Sequence, residues 1–590
     1  MKRKFALLLA VLLLVSLFAG CGGKAEVTPA PSASSAPAKT AAPAQSSAPE
    51  QTAAPAASEA PEETQPDSPY NFAAGKFATD ARGIATEKYE YTLPITTTDE
   101  VLSYWNVVYT PQCLPEGGYG EMEFPMEVER LTGVNIEYVM LAADARQNNF
   151  SVLLASDSLL DIMCGATTYY TVGPFKNAVV EDNYFINVFD YRDYMPNYFY
   201  ELTKDPSDTD TIRRVFSEDD LVLAIYELRQ ELELSSGAFA RGDWLEDMGK
   251  TNKDIRTFDD LHDMLYFFKS QKGVETPMTL LSNLDPGYEF VGYDTLFYLG
   301  GINSMYVKDG KVYMANMNDA DRDIMTLFAG WYSEGLIDPN WASYSVATDY
   351  DAKIDTGEMG YMTCVRPSTM GGHNDKIPEG EKYGWVAMTK PVKEVGQTLH
   401  LGYYVPRIYS GSACVSTTCE NIELACSWLD YRYSESGSFL YGYGVQGVSW
   451  DYDDNGEIYI TDFIVNADVF WSMFMILYAL NNLSEPGLYI NYTWNVPGNE
   501  ISYEYLMDWQ DCSYDTAYQY PSGIQYTSEQ SETRANYGSD VLTYMQENYL
   551  AFVDGSKPLS EWDSYVEGLH GIGVDEVLAV CQEAYDDYMA

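Results

Sequence analysis

Positive charge and histidine are both scarce in this chain. Its 590 residues carry 35 Lys and Arg against 88 Asp and Glu, a formal net charge of −53, and only four histidines. Such a surface repels phosphate backbones and anionic headgroups, which argues against nucleic-acid binding. It favours a neutral ligand over a strongly anionic one, unless a local basic pocket overrides the overall field. The histidines, His262, His373, His400 and His570, form no HExxH pattern and flank no recognisable nucleophile. Gly-rich pieces such as GGYG and GYGVQG lack the lysine of a phosphate loop. No CxxC pair occurs, and the close spacings 414/419 and 419/426 have no neighbouring histidine to complete a zinc site. A disulfide is not specified by the sequence; Cys426 and Cys581 fall in apolar helical patterns and read as small core residues. No apolar run reaches the ~20 residues of a comfortable membrane span. With 88 acids present, no glycosidase-like carboxylate pair stands out.

What is present begins with Lys2, Arg3 and Lys4, an apolar run from Phe5 to Phe18, and then Ala19-Gly20-Cys21. This order reads as a secretory signal over residues 1–20, and the small residues before Cys21 resemble a bacterial lipobox. Phe18 stands where that pattern usually has Leu. Cys21 is then the lipid-attachment residue, and the expected location is the outer face of the cell membrane, in the manner of Gram-positive lipoproteins. Residues 21–72 are mostly Ala, Pro, Ser, Thr and Glu. They hold too little apolar surface to offset ordering entropy and read as a disordered tether.

The body, residues 73–590, is too long for one core, so two or more lobes are expected. Aromatics make up 14% of the chain, with 50 Tyr and 11 Trp, which only a folded body can use. Rings in that abundance suit sugar faces, where C–H patches stack while hydroxyls find polar tips. MEVERLTG reads as a helix stopped by Gly133, VNIEYVML as a strand, and RQNNFSVLLASDSLLDIM as a helix followed by a short strand. This alternation predicts α/β lobes.

LTGVNIEY followed by NNFSVLLASDSLLDIM resembles the beginning of the large family 1 extracellular solute-binding proteins, a group that includes the maltose-binding proteins. Ala155, Ser156, Asp157, Asp161 and Ile162 match the family's Ala-Ser-Gly-Asp-x-Pro-Asp-Ile segment, whereas Ser158 and Leu160 depart from it. Further pieces follow in the family's order: ARGDWLEDMG with RTFDDLHDMLYFFKSQ, MYVKDGKVYMA, FAGWYSEGLIDPNW, IDTGEMGYM, SWLDYRYSESGSFLYGYGVQGVSW and the closing VDEVLAVCQEAYDDYMA. The resemblance implies a two-lobed α/β fold of the periplasmic-binding type II class, hinged between lobes. On this reading lobe 1 spans about 96–235 and 405–450, and lobe 2 about 236–404 and 451–590. It also implies a non-enzymatic receptor, with no cofactor, passing a solute, chiefly a sugar, to an ABC permease. A surface glycoside-degrading enzyme and a peptide receptor are the competing readings.

Thr168, Tyr169 and Tyr170 follow the strand ending near Cys164, where open α/β lobes bind ligands, and serve as cleft contacts or as loop cover. Arg241 lies where the chain enters the second lobe; its guanidinium is available to fork onto a ligand or to pair with a carboxylate. Asp285 and Tyr288 correspond by position to a sugar-contacting segment of the maltose receptors. Tyr403, Tyr404 and Trp450 are further stacking candidates, whereas Trp331, on a helix with Leu327 and Phe328, reads as core. Asp451, Asp453, Asn455 and Asp462 have calcium-loop spacing, but strand-like flanks favour a hairpin with an Asp-Asn-Gly turn. Arg241-Gly242-Asp243 is the adhesion tripeptide, yet Asp243 with Glu246 also has the spacing of a capping box at a helix start.

Overall fold

VLSYWNVV, residues Val101–Val108 (β1), places Tyr104 on one face and Trp105 on the other, both fully enclosed. A strand with large rings on both faces must lie inside a sheet covered on both sides. The computed structural model describes residues 68–589, apart from 230–235, 283–289, 297–303, 345–346, 366, 375, 378–383, 402–406, 480–484, 498–499 and 522. Residues 1–67, with the signal and Cys21, lie outside the described residues. Folded packing starts slightly earlier than composition suggests: Tyr70 stacks on Phe72 at 4.8 Å, and Tyr70 bridges Thr96 in the backbone.

The first sheet has the order β15-β6-β12-β3-β1-β2. Its members are β1, β2 (Asn135–Ala142), β3 (Ile162–Cys164), β6 (Ile225–Arg229), β12 (Ile408–Val415) and β15 (Gly487–Tyr489); β4 (Phe216–Glu218) and β5 (Leu221–Val222) form a separate short antiparallel pair. β2 and β3 run parallel to β1, so their carboxyl ends share one edge, while β12 runs antiparallel between β3 and β6. The second sheet has the order β10-β7-β11, with β10 (Tyr361–Val365) and β11 (Trp385–Met388) both antiparallel to β7 (Gly237–Arg241). A hairpin, β8 (Met305–Lys308) and β9 (Lys311–Met314), packs into the second core.

Helices of the second lobe start where their sequences say they should. Thr257 and Asp260 form a reciprocal capping box, and the Phe258–Lys272 helix buries Phe258, Leu261, Met264, Leu265 and Phe268 on one face before Gly273 ends it at φ 71°. Asn318 and Asp321 do the same for Asp319–Ser333, which buries Phe328 and Trp331, so Trp331 is core as expected. Cys426 and Cys581 are likewise fully buried.

The boundary between lobes differs from the expectation. The sequence reading places 451–590 in the second lobe, yet within it Ile460, Ile464, Met475, Leu477, Leu488, Tyr492 and Val496 pack in the core that holds Tyr104. The reason is β15, which pairs in parallel with β6 and returns the chain to the first sheet. The chain therefore passes between sheets in three places: β6 to β7, β11 to β12, and β15 to the Glu500–Gln510 helix.

Arg432 is wholly buried, stacked on Trp428 at 4.4 Å and Tyr441 at 4.6 Å, and its Nη1 donates to Glu485 Oε2 at 3.0 Å. Arg432→Ala would leave that carboxylate enclosed without its counter-charge, a loss of about 3–5 kcal/mol. Urea denaturation is expected to show it, with the Arg432→Ala, Glu485→Gln double variant more stable than Arg432→Ala alone.

Candidate functional site

The carboxyl edge of β1 and β3 gathers rings and one enclosed cation. β3 is followed by Gly165, held at φ 71°; a Cβ there would come within 2.8 Å of Arg146 Nη2. Glycine thus lets the Arg146 side chain, 4% exposed, cross the end of the strand. Its guanidinium lies 4.5 Å from the Tyr169 ring centre and 5.7 Å from that of Trp105, a cation–π arrangement. Trp105 donates its indole N–H to Asn149 at 2.8 Å, and Gln147 donates to the Tyr169 carbonyl at 3.0 Å. Burial raises the Tyr169 phenol, the Arg146 charge opposes this, and neighbouring Tyr109, the residue after β1, adds to the rise. Thr168 is exposed and Tyr169 half-buried at this edge.

Tyr170 does not belong to that surface. Its ring is buried against Phe175 at 5.7 Å and its hydroxyl donates to Asp182 at 2.7 Å, so it is a core residue with a satisfied polar tip. The residues that do extend the edge were not anticipated. Thr110, just past β1, donates to the Met473 carbonyl at 3.5 Å, which places the Phe470–Met473 stretch beside the strand end. Phe470 is 61% exposed and lies 5.7 Å from Trp471, which meets Tyr492 edge-on at 6.3 Å. The only trace in the sequence is the adjacent aromatic pair in DVFWSMF, which has no helical or strand period to mark it as core.

Arg241 is engaged within the chain. Its Nε and Nη2 donate to the two carboxylate oxygens of Asp243, each at 2.8 Å, and its guanidinium lies 4.4 Å from the Trp244 ring centre. This corrects the capping expectation: Arg241 is the N-cap residue of the Gly242–Met248 helix, no side chain caps it, and Asp243 sits in the first turn holding Arg241. A bidentate fork outcompetes a single bond to a backbone N–H. Gly249 ends the helix at φ 74°, as expected.

Trp450 is also corrected. It is 6% exposed, donates to the Gly444 carbonyl at 3.1 Å, and packs against Phe439 at 5.1 Å. Asp451, Asp453 and Asn455 lie in or beside the hairpin of β13 (Trp450–Tyr452) and β14 (Ile458–Ile460), with Gly456 at φ 83° in its turn. Asp453 Oδ1 accepts from the backbone of Asn455 and Glu457, both at 2.8 Å, while Asp462 begins the helix Asp462–Val465. Asp285, Tyr288, Tyr403 and Tyr404 lie outside the described residues.

No family model matches the chain. The fructooligosaccharide ABC transporter substrate-binding protein FusA of Streptococcus pneumoniae serotype 4 (strain ATCC BAA-334 / TIGR4) is 23% identical over 504 residues, 78% of this chain and 86% of that protein. An HMO-binding, ABC-transporter-associated solute-binding protein from Bifidobacterium longum infantis ATCC 15697 superposes with a TM-score of 0.63 at 18% identity, over 83% of this chain and 99% of that one. The alginate-binding protein AlgQ2, solved without calcium ion, gives 0.56 at 20% identity, over 83% of this chain and 99% of its own. The fold is that of the solute-binding proteins.

β6, β12 and β15, from which the chain passes between the two lobes, meet at Glu227. Its Oε2 accepts from Gly411 N at 3.3 Å, Arg229 Nε lies 3.6 Å from Oε1, and its side chain is 4% exposed. Burial lifts this carboxyl to about 7, against the opposing pull of Arg229 and the Gly411 N–H. A raised carboxyl contributes stability that is complete below about pH 4.5 and lost as pH rises through about 7, in all ~3 kcal/mol. Denaturation between pH 4.5 and 8 is expected to show a slope in the wild type that Glu227→Gln reduces by this share, the remainder coming from Asp430, whose carboxyl burial also lifts to about 7. Separately, Asp243→Ala strips both acceptors from the enclosed Arg241 and is expected to cost about 1–3 kcal/mol in the same assay.

Proposed function

We propose that this chain is a lipid-anchored extracellular receptor that captures an oligosaccharide between its lobes and delivers it to an ABC permease. The observation that carries the reading is the set of rings at the carboxyl edge of the first sheet, where Phe470 is exposed, Trp471 and Tyr169 are half-buried, and the buried Tyr492 backs Trp471. Rings hold the apolar C–H faces of a sugar, and Thr168 and Gln147, both exposed there, supply hydrogen-bonding groups to its hydroxyls. The relatives support the class, being binders of fructooligosaccharides, of HMO and of alginate. A net charge of −53 selects within that class for a neutral sugar.

The anchor follows from Cys21 and the tether. A lipid on Cys21 keeps the receptor near its permease and raises the effective concentration of loaded receptor. Among the described residues no helix is long and apolar enough to cross a membrane. The reading needs no chemistry at the site: hinge closure alone traps the ligand.

A thermal-shift screen of neutral oligosaccharides against residues 68–590 tests this. A ligand at 100 times its Kd should add about 2.7 kcal/mol. Trp471→Ala should then weaken that ligand by tenfold or more while leaving the unliganded melting temperature close to wild type. Stabilisation by peptides with no response to any sugar would overturn the substrate class.

A further inference from the structure

Away from the crossing segments the two lobes touch at a second place, where the Thr209–Val215 helix of the first lobe meets the end of the Val574–Met589 helix of the second. Tyr588 donates its hydroxyl to Asp210 Oδ1 at 3.0 Å. Arg213 Nη1 donates to Met589 Sδ at 3.1 Å, and the same guanidinium lies 5.7 Å from the Tyr588 ring centre. Gly523, in the second lobe's chain, presses on this helix closely: a Cβ there would come within 2.9 Å of Arg214 Cβ and 3.1 Å of the Tyr588 ring.

Around this contact the lobes are not packed together. A cavity of about 590 Å³ lies on one side, lined by Lys176, Arg214, Phe216, Tyr526 and Asp587 among others, and a smaller one of about 200 Å³, lined by Val307, Thr516 and Gln519, lies on the other. The larger cavity is no anion site: Lys176 pairs with Glu218 at 2.5 Å, and Asp210 and Asp587 stand beside Arg213 and Arg214. What remains is a small polar contact bridging two bodies, with unfilled space on both flanks.

We infer that Tyr588–Asp210, seated by Arg213 and Gly523, is a latch between the lobes that holds the arrangement seen here and must break when the hinge moves. A contact that exists in one lobe arrangement and not in another shifts the equilibrium between them by its own free energy. One net hydrogen bond corresponds to about a fivefold shift. None of the latch residues is one of the rings of the candidate sugar site, so the latch adjusts affinity through the lobe equilibrium and not through those rings. Burial raises the Asp210 carboxyl and the Tyr588 hydroxyl opposes this, which agrees with a contact partly shielded from water.

The test needs no ligand and does not rest on the proposed function. Dyes at Val152→Cys in the first lobe and Tyr266→Cys in the second, both exposed positions, report the interlobe distance by single-molecule FRET. Cys113 and Cys512, which are partly accessible, are changed to Ser in the same background. Tyr588→Phe is expected to shift the ratio of the two distance populations, or the exchange rate between them, about fivefold towards the separated state, and Gly523→Ala to shift it the same way by steric wedging. Lys176→Gln lines the same cavity without joining the latch and should change nothing. Melting temperatures near wild type establish that each variant is folded. Unchanged ratios and rates in both Tyr588→Phe and Gly523→Ala, or an equal shift in Lys176→Gln, would overturn the inference.

Discussion

Arg432 is wholly enclosed, and among the described residues its charge is answered by one carboxylate, that of Glu485. Asn106 and Tyr104 donate to the same carboxylate, the latter at 2.9 Å, and Cys164 donates to the Tyr104 hydroxyl at 2.9 Å. One network therefore ties together the middle of β1, the end of β3, the turn after the Ile422–Tyr431 helix and the chain just before β15. A buried ion pair recovers little more than its desolvation cost, so its contribution is chiefly to position. Glu485 can be ionised and satisfied only if the segment leading to β15 returns to the first lobe. That return makes the third crossing and brings residues 451–496 into the first core.

With three strands of one sheet continuing towards the other lobe, the junction has to be close-packed and yet able to bend. Gly411 shows how close: a Cβ there would lie 2.2 Å from the Glu485 carbonyl oxygen and 2.9 Å from Glu227 Oε2. Behind it, Arg407 donates to Glu201 Oε2 at 2.9 Å and to the Arg229 carbonyl at 3.1 Å, while Arg229 lies over the Tyr489 ring at 4.4 Å. Guanidinium groups laid across strands suit a hinge, because their planar forks keep several acceptors bonded through small rotations. The rings at the ends of β1 and β3 and the Glu227 junction thus share one sheet.

Much of this could be read in the sequence wherever the signal was local. Capping boxes at Thr257 and Asn318, glycine stops at 133, 249 and 273, the hairpin turn at 453–456 and the buried stripe ending in Trp331 all depend on residues within a few positions of each other. The parts misread depend on distant partners. Asp243 has a cap's spacing but an arginine two residues earlier that binds both its oxygens. Tyr170 and Trp450 lie next to surface features, and each is turned inward by a hydrogen bond to a polar partner, Asp182 or the Gly444 carbonyl. Phe470 and Trp471 carry no sequence signal, because an isolated aromatic pair has no period, and their place beside Thr110 exists only after about 360 residues of chain have folded back.

The same contrast bears on what the ligand can be. In a chain this acidic the guanidinium groups near the interior are committed to structural partners: Arg432 to Glu485, Arg407 to Glu201, Arg241 to Asp243. The excess negative charge is carried by acids on the surface, which attract no anionic ligand and, on the solvated outside, cost little. Selectivity then falls to groups without charge. On the proposed reading, flat rings at the strand ends have no preference for one hydroxyl pattern over another, so they would supply affinity for sugar faces in general. Discrimination among sugars would then have to come from hydrogen-bonding groups placed around those rings, with the rings themselves the same for every ligand.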